Sequence, residues 1–145
     1  MSQYITDELK INAPASKVWE ALTDPELTKE YMFGCEVICS WNVGDSIEWK
    51  GVQDGVVYVK GNLIAFDPER KFAFTVFDPL ASYPDIPENY LTAAYTLTPD
   101  AGTTHLKVTQ GDYQTVVDGE KRYRDTMAQG GWSAVLESLK KVVEK

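Results

Sequence analysis

The sequence has one histidine, His105, and two cysteines, Cys35 and Cys39. Catalysis of the Ser-His-Asp or Cys-His type needs a histidine near the nucleophile, and the alternation around His105 places it on the solvent side of a predicted strand. The cysteines are about 13 Å apart along another predicted strand, beyond the limit of roughly 7 Å between Cα atoms for a disulfide. We therefore expect reduced thiols, no metal site and no hydrolase of this type.

Basic residues are also scarce, with 14 against 22 acidic ones and a net charge of −8. They are scattered along the chain, whereas a phosphate backbone needs a concentrated positive surface, so we expect no nucleic acid partner.

No apolar run approaches the roughly 20 residues of a membrane span, and no signal segment begins the chain. A cytoplasmic protein is expected. Neither common Gly-rich phosphate loop is present, and no cofactor is predicted.

The 145 residues are 43% hydrophobic and 12% aromatic, which predicts one domain over residues 1–145. Its first element is a strand over Tyr4–Ile11, where Ile5, Asp7, Leu9 and Ile11 share a face. Two short helices follow. The first begins near Pro14, and the second is capped by Thr23 or by Asp24 with Pro25 in the first turn.

Alternating apolar residues then predict an antiparallel meander of strands. Its inward residues belong to runs that are separated by turn signals, such as Asp54-Gly55 and Pro99-Asp100-Ala101-Gly102. They include Val37, Ile47, Trp49, Phe72, Phe74, Val76, Leu91, Tyr95, Leu97, Leu106 and Val108. Residues 78–89, with three prolines, form the one extended irregular segment, which could be a lid over a cavity or a stiff crossover.

A single long amphipathic helix is predicted over Asp118–Lys145, with Asp118 as its N-cap. Its apolar stripe from Trp132 to Val143 would cover the apolar face of the meander, so the predicted class is α+β, with a curved antiparallel sheet wrapped around this helix. The adjacent Gly130 and Gly131 suggest a kink or a close approach of another group.

The order of these elements and several short motifs together resemble the START-like or birch-pollen-allergen-like helix-grip superfamily (SRPBCC). Within it, the chain resembles the branch related to the activator of the 90-kilodalton heat-shock chaperone's ATPase. The matching motifs are Ile11-Asn12-Ala13-Pro14, Val18-Trp19-Glu20-Ala21-Leu22-Thr23-Asp24-Pro25, Val43-Gly44, Gly61, Asp67-Pro68 and Gly130-Gly131-Trp132 with Leu136-Glu137-Ser138-Leu139-Lys140. The resemblance implies a cavity between the concave face of the sheet and the long helix.

Inward residues of both elements would line this cavity. The candidate ligand-binding residues are Trp49, Phe72, Phe74, Leu91, Tyr95, Leu106, Val108, Met127, Gly131 and Trp132. Of these, Trp49, Tyr95 and Trp132 are the expected ligand contacts. Asp7 and Gln110 are polar residues near the inward register, and each is expected to form a buried hydrogen bond.

Three functions follow as hypotheses. The first is non-catalytic binding of a small hydrophobic or aromatic molecule. The second is a protein-interaction module that modulates a chaperone ATPase. The third is an enzyme of cyclase or hydrolase type, which would need two or more polar side chains that converge in the cavity. No catalytic residue is assigned, and the sequence indicates no oligomeric state.

Overall fold

A computed structural model describes residues 3–144. The strands are β1 (Ile5–Ile11), β2 (Cys35–Cys39), β3 (Ser46–Gly51), β4 (Val57–Asp67), β5 (Lys71–Val76), β6 (Leu91–Asp100) and β7 (Thr103–Gly111). The helices are α1 (Ala15–Thr23), α2 (Pro25–Tyr31), α3 (Gly119–Ala128) and α4 (Ser133–Val143), and a short 3-10 turn covers Pro87–Asn89.

All seven strands form one curved antiparallel sheet in the order β1-β7-β6-β5-β4-β3-β2. The predicted α+β class, with two short helices after the first strand, is confirmed. The alternation also gave the correct inward face, because Ile47, Phe72 and Leu106 are completely buried while Ile38 is 42% exposed. The β6–β7 hairpin turns tighter than predicted, at Ala101 and Gly102 alone. Both have positive φ, as such two-residue turns require.

The helices α1 and α2 pack against each other and against α4, and α2 also packs against β2. Asp24 caps α2, because its carboxylate accepts a hydrogen bond from Glu26 N at 2.9 Å and Pro25 follows as the first helical residue. The buried Thr28 Oγ1 accepts from Val37 N at 2.9 Å and so fixes α2 against β2. Of the two predicted caps, Asp24 is the observed one.

The C-terminal region is two helices, so the prediction of one continuous helix is wrong. The chain leaves helical conformation between Ala128 and Ser133, where Gly130 and Gly131 have φ of 92° and 61°. Gly131 lies so close to β1 that a Cβ atom there would be 2.8 Å from Asp7 Oδ2. The glycine pair thus permits a break and a close approach together. Lys145, the predicted end of the helix, lies outside the described residues.

The start of α3 also differs from the prediction. Asp118 occupies the N-cap position, but it has a left-handed backbone with φ of 50° and its side chain makes no capping hydrogen bond.

Among the helices of residues 3–144, none combines the length and the apolar character that crossing a bilayer would require.

Candidate functional site

The concave face of the sheet carries a continuous row of aromatic rings. Trp49 and Phe74 have ring centroids 4.8 Å apart, Phe72 and Tyr95 5.1 Å, and Tyr95 and Trp132 5.8 Å. These residues come from β3, β5, β6 and the start of α4, because alternate residues of neighbouring strands share one face. We call this row of rings the floor. It ends at Trp132, which directly precedes α4.

A cleft of about 600 Å³ lies above one end of this floor. Most of its lining is apolar or aromatic, with a few polar groups at its walls. The lining residues are Met32, Phe33, Cys35, Trp49, Tyr58, Val59, Phe74, Val76, Phe77, Asp78, Ala81, Tyr83, Leu91, Gln110, Tyr113, Arg122, Asp125, Thr126 and Trp132.

The cleft exists because the two C-terminal helices pack differently. α4 lies directly against β1, α1 and α2, and it buries Leu136, Leu139 and Val143. α3 makes no comparable packing with any described strand or helix, and Gly119 is its only fully buried residue. The break at Gly130 and Gly131 therefore separates a helix that closes the core from a helix that forms a wall of the cleft.

The structure brings four of the predicted residues, Trp49, Phe74, Leu91 and Trp132, to the cleft. Phe72, Tyr95, Leu106 and Val108 are at most 1% exposed and lie in the core outside the cleft lining. Met127 is 49% exposed and also lies outside the described lining. Gly131 faces Ile5 and Asp7 of β1. Alternation identified the inward face, but it could not show that α4 covers part of that face while α3 leaves another part open.

Residues 78–89, for which the sequence left a lid over a cavity and a stiff crossover as alternatives, contribute a wall of the cleft. Asp78, Ala81 and Tyr83 line the cleft. Asp85 holds the segment to the sheet, because its carboxylate accepts hydrogen bonds from Lys60 Nζ on β4 and from the Tyr90 hydroxyl. The Lys60 ammonium, followed by the Tyr90 hydroxyl, lowers the pKa of the Asp85 carboxyl. The proline-rich composition was a signal for this segment, but not for its contacts.

The same segment is joined to α3 through Asn89 and Arg122. The buried Asn89 accepts from Val117 N at 3.1 Å through its side chain, and its backbone oxygen accepts from Arg122 Nη1 at 3.3 Å. The Arg122 guanidinium lies 4.7 Å from the centroid of the Tyr83 ring, a cation–π distance. Two walls of the cleft are therefore connected to each other.

The polar residues of the cleft wall have protein partners. Gln110 Nε2 donates to the Tyr113 hydroxyl at 2.7 Å, and Thr126 Oγ1 donates to Arg122 O at 2.9 Å. Gln110 thus forms the expected hydrogen bond, but the residue is half-buried rather than buried. Asp7 also has its expected bond, since its carboxylate accepts from Trp132 N at 2.8 Å.

Nothing in this arrangement tests the enzyme hypothesis, which stays a prediction. Within residues 3–144, no group of three or more His, Cys, Asp or Glu side chains could hold a metal ion.

Two buried hydrogen-bonding atoms have no partner among the described residues, Trp49 Nε1 and the Tyr95 hydroxyl oxygen. Burial raises the pKa of the Tyr95 phenol. An unpaired buried polar group costs free energy, so these two positions contribute less to stability than their apolar surface suggests.

Cys35 and Cys39 are both free, as predicted. Cys35 is buried at the cleft wall, and burial raises the pKa of its thiol. Burial likewise raises the pKa of the Cys39 thiol. Both side chains are thus protonated thiols near neutral pH rather than reactive thiolates.

Solved structures with the same fold span nearly the whole chain. A protein from Cytophaga hutchinsonii is 36% identical, with a TM-score of 0.75 over 99% of this chain and 95% of that one. A protein from Mesorhizobium loti is 23% identical, with a TM-score of 0.76 over 98% and 97%. The Aha1 dimer from Colwellia psychrerythraea is 19% identical, with a TM-score of 0.72 over 98% and 96%. The last two are below 25% identity and show the fold alone.

None of the curated proteins matches the sequence. The family model described as "Activator of Hsp90 ATPase homolog 1-like protein" matches residues 12–144, from the end of β1 to the end of α4. The match covers the sheet from β2 onwards, both pairs of helices and every residue that lines the cleft. The chain therefore belongs to the family of Activator of Hsp90 ATPase homolog 1-like proteins.

Proposed function

We propose that this protein binds a small hydrophobic or aromatic molecule in the cleft. The observation that carries the proposal is the cleft itself, a space of about 600 Å³ with a mostly apolar and aromatic lining. Small-molecule sites have volumes of roughly 300 to 1,000 Å³ and combine such a lining with a few polar groups. The cleft has this size and this composition.

Burial of apolar area would supply the affinity. Trp49, Phe74, Leu91 and Trp132 would contact the ligand in this proposal, and so would Tyr83 and Met32, which also line the cleft. Each aromatic ring that contacts a ligand removes apolar surface from water, at about 25 cal/mol per Å². Tyr95, an expected contact, lies outside the cleft lining and would hold Phe74 and Trp132 in place, because it packs against both rings.

A filled cleft should not bind a ligand, which gives a direct test. Ala81 is half-buried on the cleft wall, and its neighbour Ser82 is exposed and lies off the described lining. Ala81→Trp should weaken the binding of N-phenylnaphthylamine, an uncharged fluorescent aromatic probe, by roughly tenfold or more. Ser82→Trp adds the same ring one residue away and should leave binding within about twofold of the wild type.

Fluorescence titration at a fixed probe concentration measures both affinities, and thermal unfolding checks that both variants are folded. Native mass spectrometry of the purified wild type complements the titration, because a retained small molecule would have a defined mass. Equal affinity of both tryptophan variants, or no probe binding to the wild type, would contradict the proposal.

A second candidate function is modulation of a chaperone ATPase, and the family match over residues 12–144 favours it. The test is the ATPase rate of the 90-kilodalton heat-shock chaperone with increasing amounts of this protein. A rate change that saturates with concentration would support this candidate. An unchanged rate, together with no co-purification of the two proteins, would exclude it. The Ala81→Trp variant should change the rate only if the cleft takes part in the chaperone contact.

A further inference from the structure

Arg122 is the one arginine in the described lining of the cleft, and its guanidinium is held in place. Nη1 donates to the backbone oxygens of Asn89 and Val117 at 3.3 and 3.4 Å. Its Cζ atom lies over the Tyr83 ring, 4.7 Å from the ring centroid. A side chain fixed in this way loses little conformational freedom when it binds a ligand.

This guanidinium has no anionic partner among the described residues. No carboxylate of residues 3–144 forms an ion pair with Arg122. Asp125 lies three residues further along α3, but its carboxylate accepts from Lys121 Nζ at 2.8 Å. Asp78, elsewhere on the wall, accepts from the backbone N of Leu80 at 2.9 Å. A guanidinium has five N–H donors. Both described hydrogen bonds of the Arg122 guanidinium are donated by Nη1.

We infer that the ligand of the proposed cleft is a hydrophobic or aromatic molecule that ends in a carboxylate, and that Arg122 binds this carboxylate. This inference rests on the proposed function and names the ligand class. Arginine matches the planar geometry of a carboxylate with paired, charge-assisted hydrogen bonds. The mostly apolar lining of the cleft would bind the rest of the ligand. Asp125, the acidic neighbour on the same helix, is paired with Lys121, so its charge is partly compensated and Arg122 remains the cation of the lining that is open to a carboxylate.

Pairs of ligands with the same shape and different charge test this inference. Naphthoate and naphthamide form one pair, and biphenylcarboxylate and its amide form another. Each compound displaces N-phenylnaphthylamine in a competition titration. The wild type should bind each acid roughly tenfold or more tightly than its amide, since hydrogen bonds between two charged groups are stronger than those to a neutral amide. The preference should decrease as salt concentration rises.

Arg122→Gln should abolish the preference for each acid over its amide, which is a ratio measured within the same variant. Arg124 provides the matched control, because it is an exposed arginine on the same helix that lies off the described lining. Arg124→Gln should retain the full preference. Arg122→Lys keeps the charge without the planar pair of donors and should retain part of it.

The comparison of acid and amide binding to the wild type can overturn the inference by itself. This test does not depend on the folding of any variant. Equal affinity for acid and amide in both pairs would refute the carboxylate and leave the proposed function standing, provided that the probe binds. A preference that survives Arg122→Gln would refute the role of Arg122. No binding of the probe or of any of the four compounds would remove the proposed function and this inference together.

Discussion

At the scale of single residues, Tyr95 and Tyr113 form a natural comparison. Both are 1% exposed, yet Tyr113 accepts a hydrogen bond from Gln110, and the Tyr95 hydroxyl has no partner among residues 3–144. The sequence predicted the inward position of Tyr95 correctly from alternation. It could not predict the missing partner, because that depends on which side chains arrive from distant elements.

We expect Tyr95→Phe to leave the free energy of unfolding unchanged or to raise it by up to about 1 kcal/mol, because it removes an unpaired buried hydroxyl. Tyr113→Phe removes a paired one and should lower it by about 1 to 2 kcal/mol, since Gln110 then loses its partner. Urea denaturation of both variants measures the difference. Equal losses would mean that the Tyr95 hydroxyl is paired after all. Tyr95→Phe should also leave probe binding unchanged.

Asp7 shows how far sequence reasoning reaches for a polar residue. Its place on the inward face of β1 and its hydrogen bond were both predicted from the alternation of one strand. Its partner, the backbone N of Trp132, lies 125 residues away in the chain. No local pattern connects these positions, since the bond depends on the break between α3 and α4.

At the scale of elements, the break between α3 and α4 decides where the cleft lies. The apolar stripe at helical spacing lies after the break, from Trp132 to Val143, and the prediction extended the same helix back to Asp118. The two glycines were the correct signal for an interruption. The orientation of α3 relative to the sheet could not be predicted, because α3 has few apolar residues that would pack it against the sheet.

Substitution at this break should be costly for a reason specific to the site. Gly131→Ala places a Cβ atom 2.8 Å from Asp7 Oδ2 and 3.2 Å from Ile5 Cγ2, at a φ of 61°. Gly102 in the β6–β7 turn has a φ of 88° and no atom within 4 Å of the same position. Both substitutions carry the cost of a positive φ, roughly 1 kcal/mol.

Only Gly131→Ala adds a steric conflict with β1. We therefore expect it to lower the free energy of unfolding by about 1 to 3 kcal/mol more than Gly102→Ala does. Urea denaturation measures both, and hydrogen exchange across residues 119–128 reports whether α3 is loosened. Equal costs for the two variants would show that Asp7 and Ile5 move aside without penalty.

The wall formed by residues 78–89 was predicted in part: its irregular structure was predicted from the sequence, but its contacts were not. Its prolines and lack of alternation marked it as irregular, and both a lid and a crossover were consistent with that composition. Its attachment depends on Lys60, Asn89 and Arg122, which come from a strand, a turn and a helix. Such convergence of distant residues is a property of the folded chain and leaves no local signature.

At the scale of the whole molecule, carboxyl groups with a lowered pKa join distant parts of the chain. Backbone N–H groups of Gln114 and then Gln3 lower the pKa of Asp112, and those of Asn12, together with the Lys140 ammonium, lower the pKa of Glu144. In each case the folded chain binds the proton less readily than the unfolded chain. The contribution to stability is complete above the ordinary carboxyl pKa of about 4 and is lost as the pH falls below it.

The urea midpoint should therefore decrease between about pH 5 and pH 3. Glu144→Gln should flatten this decrease, because the group that titrates is removed. Glu137→Gln changes an exposed residue of the same helix and should retain the slope of the wild type. An equal slope in all three proteins would contradict the assignment to Glu144.

The pairing of β1 with β7 has a consequence for synthesis of the chain. Ile5 lies opposite Gln110, so the first strand has no partner until more than 100 residues have been made. At roughly 5 to 20 residues per second, that wait lasts on the order of 5 to 20 seconds. An unpaired strand can join the wrong neighbour during this time. Glu8 and Lys10 on its outer face place charges on both sides of Leu9, and such charges disfavour pairing between nascent chains.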